Sequence, residues 1–286
     1  MTDTVPVFTI GSFECRVVPD GVATYEKETL YSDLPPEELE PSVRGLLDEQ
    51  GLVRIPYHPL LVRGADGLAL IDAGTGPALA EEWGEPIGRL REALSAADAE
   101  PEDIGLVLLS HAHPDHIGGL TVEHGGSRRP MFPNARHVIS RTEFEYWTSD
   151  RVPDDFAGMG GLAHLNLTTL ERTGILDPLD GEQEVGSGIR VIPAPGHTPG
   201  HVAISISEGS ETAIFVADAV LGELNFDHPD WSSRLEVDRA VRTRRRLLDE
   251  AAHDSTTVVG YHLWGPGIVE RRGAVYRWDP LQLGPP

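Results

Sequence analysis

The sequence predicts an α/β chain built of two similar halves that face each other. Three observations lead there. Short apolar runs alternate with helical stretches along the whole length. The strand-like runs of both halves end on histidine, at His111, His197 and His262. The chain has 286 residues, 40% of them hydrophobic, enough for one large domain with a sizeable core. Such a chain would place its histidines along a shared edge of two sheets.

The elements follow in order. Residues 5–19 alternate as a strand, and Pro19-Asp20-Gly21 reads as a turn. Residues 36–50 carry a helical pattern that stops at Gly51. RIPYHPLLVRG and LALIDAG read as a hairpin turning at Gly64-Ala65-Asp66-Gly67, and residues 78–98 as one helix. GLVLLS (105–110) is a strand buried on both faces. ARHVIS leads to a helix at 141–149, residues 150–162 read as a mobile loop, and 163–173 as a helix. GIRVIPAPGH is a strand feeding a loop, HVAISISEG and TAIFVADAV form a hairpin, and 238–252 is a helix. TTVVGYH is the last strand of this series.

The charge of −23, from 46 acidic and 23 basic side chains, disfavours nucleic acid and anionic membranes as partners. A neutral, apolar small molecule meets no such barrier. The lone Cys15 forbids an internal disulfide. No basic n-region with an apolar stretch opens the sequence, and no run is long enough to cross a bilayer, so a cytoplasmic location is expected.

His111-Ala112-His113-Pro114-Asp115-His116 puts four potential ligands in six residues, just after a buried strand. Imidazole with carboxylate suits zinc and similar divalent ions. Alternation puts His111 and His113 on one side of an extended segment. Pro114 ends that segment and suits the first turn of a helix. Gly118-Gly119 permit close backbone approach. A closed structural zinc site would lean on cysteine, and none is near, so an open catalytic site is favoured.

HAHPDH resembles the HxHxDH signature of the metallo-β-lactamase superfamily. LALIDAG, PGHTPGH, FVADAV and VVGYH resemble its other motifs, in order, over roughly residues 50–265. The resemblance implies a single domain over 1–286 with a four-layer αββα sandwich. It implies two divalent ions, zinc first, with iron or manganese as alternatives. His111, His113 and His197 would hold one ion, Asp115, His116 and His262 the other, and Asp218 would bridge them. The ions would lie about 3.5–4 Å apart and share a hydroxide that attacks a carbonyl or phosphoryl centre. Asp115 would also orient the nucleophile or pass a proton to the leaving group. Asp72 and His201 would organise the ligand loops.

Asp218 stands where the commonest true β-lactamases carry cysteine or serine, which argues against β-lactam hydrolysis. The run 238–278 and HPDW (228–231) are similar to the branch holding methyl parathion hydrolase and quorum-quenching lactonases. An ester or lactone hydrolase is therefore the first expectation, with a phosphotriester hydrolase or thioesterase as alternatives. An iron-dependent non-hydrolytic member is the reading from another class. Leu263-Trp264 departs from the branch pattern and would reshape the pocket. Candidates for lining it are Trp147, Phe156, Met159, Phe226, His228, Trp231 and Trp264. Residues 1–50 lie outside the motifs. A pocket lid, a sheet extension or a dimer arm, the last implying a homodimer, would each account for them.

Overall fold

Leu68 and Leu70 leave their strand on one side, Ala69 and Ile71 on the other, and all four are buried. The same division runs through Val107 and Leu108, Ala203 and Ile204, Ile214 and Phe215, and Val258 and Val259. Strands apolar on both faces must be covered on both faces. In the computed structural model, which describes residues 7–30, 36–84, 86–150, 157–231 and 237–283, two sheets and flanking helices do this.

Among the described residues each main sheet has seven strands. The first runs Val7–Ile10, Phe13–Val17, Leu60–Gly64, Gly67–Ile71, Ile104–Leu108, Arg136–Ser140, Leu176–Leu179. The second runs Gln183–Gly186, Ile189–Pro193, Val202–Glu208, Glu211–Phe215, Thr257–Val259, Gly267–Arg272, Val275–Pro280. Phe8, Val62, Ile71, Leu108, Ile204, Phe215 and Val259 belong to the core between the sheets. Helices Leu90–Ala96, Arg141–Trp147 and Ala157–Arg172 cover the outer face of the first sheet. Helix Val237–Asp254 covers the second, burying Ala240, Leu247, Leu248 and Ala251. The result is the four-layer αββα sandwich. Each fully buried aliphatic side chain in these cores contributes about 1.5–3 kcal/mol.

Several elements differ from the sequence reading. Residues 5–19 are not one strand: Val7–Ile10 and Phe13–Val17 pair antiparallel around Gly11, whose φ is 55°. The helix expected over 36–50 ends at Val43. RIPYHPLLVRG breaks at His58-Pro59. Val53–Tyr57 pairs with Gly21–Tyr25 as a separate ribbon, and Leu60–Gly64 pairs with Gly67–Ile71. The helix expected over 78–98 is two, Gly76–Trp83 and Leu90–Ala96. Left-handed Gly84 closes the first, and Asp20 accepts backbone N–H bonds from Gly88 and Leu90 where the second begins. Helix Ala157–Arg172 starts inside the segment read as a loop. Residues 151–156 of that segment lie outside the described residues. Among the described residues no helix is long and apolar enough to cross a membrane.

Candidate metal centre

Parallel strands Gly67–Ile71 and Ile104–Leu108 end side by side, and the ligand loop starts there. Asp72 leaves the first strand at φ 62°, a left-handed conformation that Asp adopts more readily than most residues. Its fully buried carboxylate accepts from Ser110 N–H (2.8 Å), the Ser110 hydroxyl (2.7 Å) and His116 Nδ1 (2.7 Å). Asp72 thus ties the start of the loop to its last histidine. His113 is extended (φ −71°, ψ 152°), and Pro114 opens the short helix Pro114–Ile117, turning Asp115 and His116 back toward the sheet. A Cβ on Gly118 would stand 1.8 Å from Thr75 O, and one on Gly119 2.1 Å from Ala73 O. Only glycine allows the loop to lie this close to the Asp72 strand.

His197, Asp218 and His262 come from loops that follow strands of the second sheet. Two groups result. His111, His113, His197 and Asp218 each offer one ligand atom, all within 4.8 Å of one another, and so do Asp115, His116 and His262. In the first group His113 Nδ1 is 3.0 Å from His111 Nε2 and 2.8 Å from His197 Nε2. Asp218 links the groups. Its Oδ2 is 3.1 Å from His197 Nε2, and its Oδ1 is 3.1 Å from His116 Nε2 and 3.4 Å from His262 Nε2. Asp115 Oδ2 closes the second group at 3.4 Å from His116 Nε2 and 3.5 Å from His262 Nε2.

These residues fit a pair of divalent cations. The Ser110 hydroxyl donates to Asp72 and so accepts from His111 Nδ1–H at 3.0 Å. His116 Nδ1 donates to Asp72, and His262 Nδ1 to Pro56 O at 3.0 Å. Each outer bond engages Nδ1 and leaves Nε2 facing inward, where it can bind a cation in place of a proton. His116 Nε2 and Asp218 Oδ1 are buried, face each other, and make no hydrogen bond. Enclosed polar atoms without partners mark a place for a missing one.

The field agrees. Burial disfavours a charged His116, yet the carboxylates of Asp218, Asp115 and Asp72 outweigh it and hold its pKa well above the usual histidine value. Burial likewise opposes an ionised Asp218, yet His116, His262, His197 and His111 hold it well below the usual carboxylate range. The centre therefore favours positive charge beside fixed carboxylates. The nitrogen and oxygen donors suit zinc, iron or manganese.

His201 stands behind the bridge. Its Nδ1 donates to Ala194 O (3.0 Å), and its Nε2 accepts from Asp218 N–H (3.1 Å). Burial pushes its pKa down to about 3, so it stays neutral and holds the Asp218 backbone. Arg244, buried on helix Val237–Asp254, donates to Ala219 O (2.6 Å) and Pro229 O (2.9 Å), fixing the loop after Asp218. Tyr261 lays its ring 3.9 Å from the His116 ring, and its hydroxyl donates to Asp115 O at 2.5 Å. Tyr261 lies inside VVGYH and Arg244 inside the run 238–278, but neither carries a signal of its own in the sequence.

A cleft opens over both groups. Tyr25, Thr29, Leu30, Ile55, Trp83 and Leu221 form its walls, with His113, Asp115, His197, Asp218 and His262 among the residues at its base. Most of the pocket candidates lie elsewhere. Trp147 is buried beneath His113, their ring centroids 5.5 Å apart. Phe226 is buried in the outer core and stacks on Trp278, because its helix turns inward. His228 and Trp231 stack on each other at 3.6 Å. Trp231 packs near Leu39 and Val43 of helix Pro36–Val43, and His228 Nε2 lies 3.3 Å from the Ser42 hydroxyl. Trp264 is 53% exposed. It borders a neighbouring cleft that meets the first at Ile55 and His262. Phe156 lies outside the described residues, as does the side chain of Met159. The wall residues Tyr25, Thr29, Leu30 and Trp83 escape a sequence reading because strand Gly21–Tyr25, the short helix Lys27–Leu30 and helix Gly76–Trp83 share no pattern.

The sequence profile of the metallo-beta-lactamase superfamily matches residues 55–257. The chain belongs to that superfamily. It is similar to an N-acyl homoserine lactonase of Bacillus thuringiensis, 25% identical over 73% of this chain and 81% of that one. Among superfamily structures it resembles AidC, a dizinc quorum-quenching lactonase in complex with a product. The TM-score is 0.87 at 26% identity over 98% of each chain. The hydrolase AbOPH shares the fold, with a TM-score of 0.86 at 23% identity over 98% of each chain. As a superfamily member with this donor set, the chain is a metal-dependent hydrolase.

Proposed function

We propose that the protein opens the ring of a neutral lactone bearing an apolar acyl group, with N-acyl homoserine lactones the best-fitting class. The observation that carries this is the apolar-walled cleft set directly on two ligand groups that share Asp218. The similarity to N-acyl homoserine lactonases points the same way.

His111, His113 and His197 would hold one zinc ion, Asp115, His116 and His262 the other, and Asp218 both. Such a pair would supply Lewis acidity and lower the pKa of a bound water to about 7. The chain's own residues do the rest. Leu30, Ile55, Trp83 and Leu221 receive the acyl chain and exclude water. Tyr25, whose hydroxyl pairs with that of Tyr57, and Thr29 offer hydroxyls to the polar head. Asp115 lies at the base of the cleft. Burial opposes its ionisation, but His116 and His262 hold its pKa below the usual value. It would accept the proton of the attacking water and return it to the ring oxygen as the bond between that oxygen and the carbonyl carbon breaks. Of the described residues before 50, Tyr25, Thr29 and Leu30 thus serve as a pocket wall, while Val7–Ile10 and Phe13–Val17 extend the first sheet.

The test offers the zinc-loaded full chain four substrates: an acyl homoserine lactone, an aryl ester, a thioester and a phosphotriester. The lactone is expected to give the highest kcat/KM, rising roughly 2–4-fold per added methylene until the cleft is filled. A tenfold preference for the thioester or phosphotriester, or no dependence on chain length, would refute the assignment.

A further inference from the structure

We infer that Glu143 is a positioning residue that sets the geometry of the His111/His113/His197 group by riveting two ligand loops from opposite sheets to one buried carboxylate. This rests on the two-ion reading above. Glu143 lies on helix Arg141–Trp147 and is fully buried. Its Oε1 accepts from Ala112 N–H (3.0 Å) and the Trp147 indole N–H (2.6 Å). Its Oε2 accepts from the Thr198 hydroxyl (2.8 Å) and Gly200 N–H (2.9 Å).

The placement of these donors is specific. Ala112 lies between His111 and His113, in the loop after the first sheet's strand Ile104–Leu108. Thr198 and Gly200 lie between His197 and His201, in the loop after the second sheet's strand Ile189–Pro193. Trp147, itself tethered by Glu143, meets the His113 ring edge-on at 79°. A Cβ on Gly200 would fall 2.2 Å from Glu143 N, so glycine is needed for the loop to reach the carboxylate. All four partners are donors and a carboxylate has about four acceptor sites, so Glu143 is saturated. Burying a carboxylate costs several kcal/mol, and an apolar side chain would serve for packing alone. The second group hangs on other supports, Asp72 behind His116 and Pro56 O behind His262. Loss of Glu143 should therefore loosen one ion and spare the other.

The readout is metal affinity on the full chain. Apo protein is titrated with Zn²⁺ against a chelating dye, and with Co²⁺ followed by its visible spectrum. Wild type should take up about two equivalents. Glu143→Gln keeps the volume but gives at most one acceptor oxygen to four donors. It should retain one tight equivalent and bind the other about 10–100-fold more weakly, with one component of the Co²⁺ spectrum lost. Thr198→Val, which removes a single donor and should fold regardless, is expected to move the same equivalent by a smaller factor. Two ions bound as in wild type by either folded variant, or equal weakening of both equivalents, would overturn the role of Glu143 and leave the two-ion reading intact. Wild-type uptake of fewer than two equivalents would overturn that reading and this inference together.

Discussion

Asp218→Ala is expected to lower kcat/KM by at least about 10³-fold and to reduce bound metal from about two ions per chain to one or fewer. The reason is that one carboxylate serves both ligand groups. Its Oδ2 approaches His197 Nε2 and its Oδ1 approaches His116 Nε2, at 3.1 Å each. Among the described residues the other donors of the first group are all histidines, so no second carboxylate of that group stands ready to replace it. His113→Ala removes only one donor of that group. It should also abolish most activity, yet leave the second ion in place. Metal analysis and steady-state kinetics on the same preparations check both variants. Wild-type rates in either would sink the ligand assignment.

Asp72→Ala is expected to destabilise the metal-free protein by about 3–5 kcal/mol, read from the denaturant midpoint. The substitution leaves Ser110 N–H, the Ser110 hydroxyl and His116 Nδ1 without their buried acceptor. It also puts alanine at φ 62°, where a Cβ without a compensating local hydrogen bond costs a further 1–2 kcal/mol, roughly. Asp72→Asn tolerates that backbone and keeps one acceptor oxygen, so it should recover part of the loss. The two variants separate backbone strain from lost hydrogen bonds. A change below about 1 kcal/mol in Asp72→Ala would show that the loop does not depend on this carboxylate.

Local features of the chain were legible in the sequence. HAHPDH declares itself because the ligands are adjacent, and Pro114 and Gly118-Gly119 explain how so short a segment can turn. Double-sided apolar strands such as LALI announce layers on both faces. What the sequence concealed depends on distant partners. Glu143 is an ordinary helix residue until Ala112, Thr198 and Gly200 arrive, 31 to 57 residues away. Trp147 and Phe226 looked like pocket aromatics, yet burial of their helices' inner faces carries them into the core. Tyr25 and Leu30 reach the cleft only because Gly21–Tyr25 pairs with Val53–Tyr57 rather than extending the main sheet. Pairing across so many residues leaves no mark in local periodicity.

One titration decides whether seven named residues hold two ions that open a lactone. The 286-residue chain, reconstituted with zinc, is assayed on an acyl homoserine lactone in weak buffer, and metal is counted in the same sample. The prediction is about two zinc ions per chain, with one proton released for each ring opened, and loss of that release after chelation. Fewer than about one ion per chain after reconstitution, or ring opening undiminished by complete removal of metal, would contradict it.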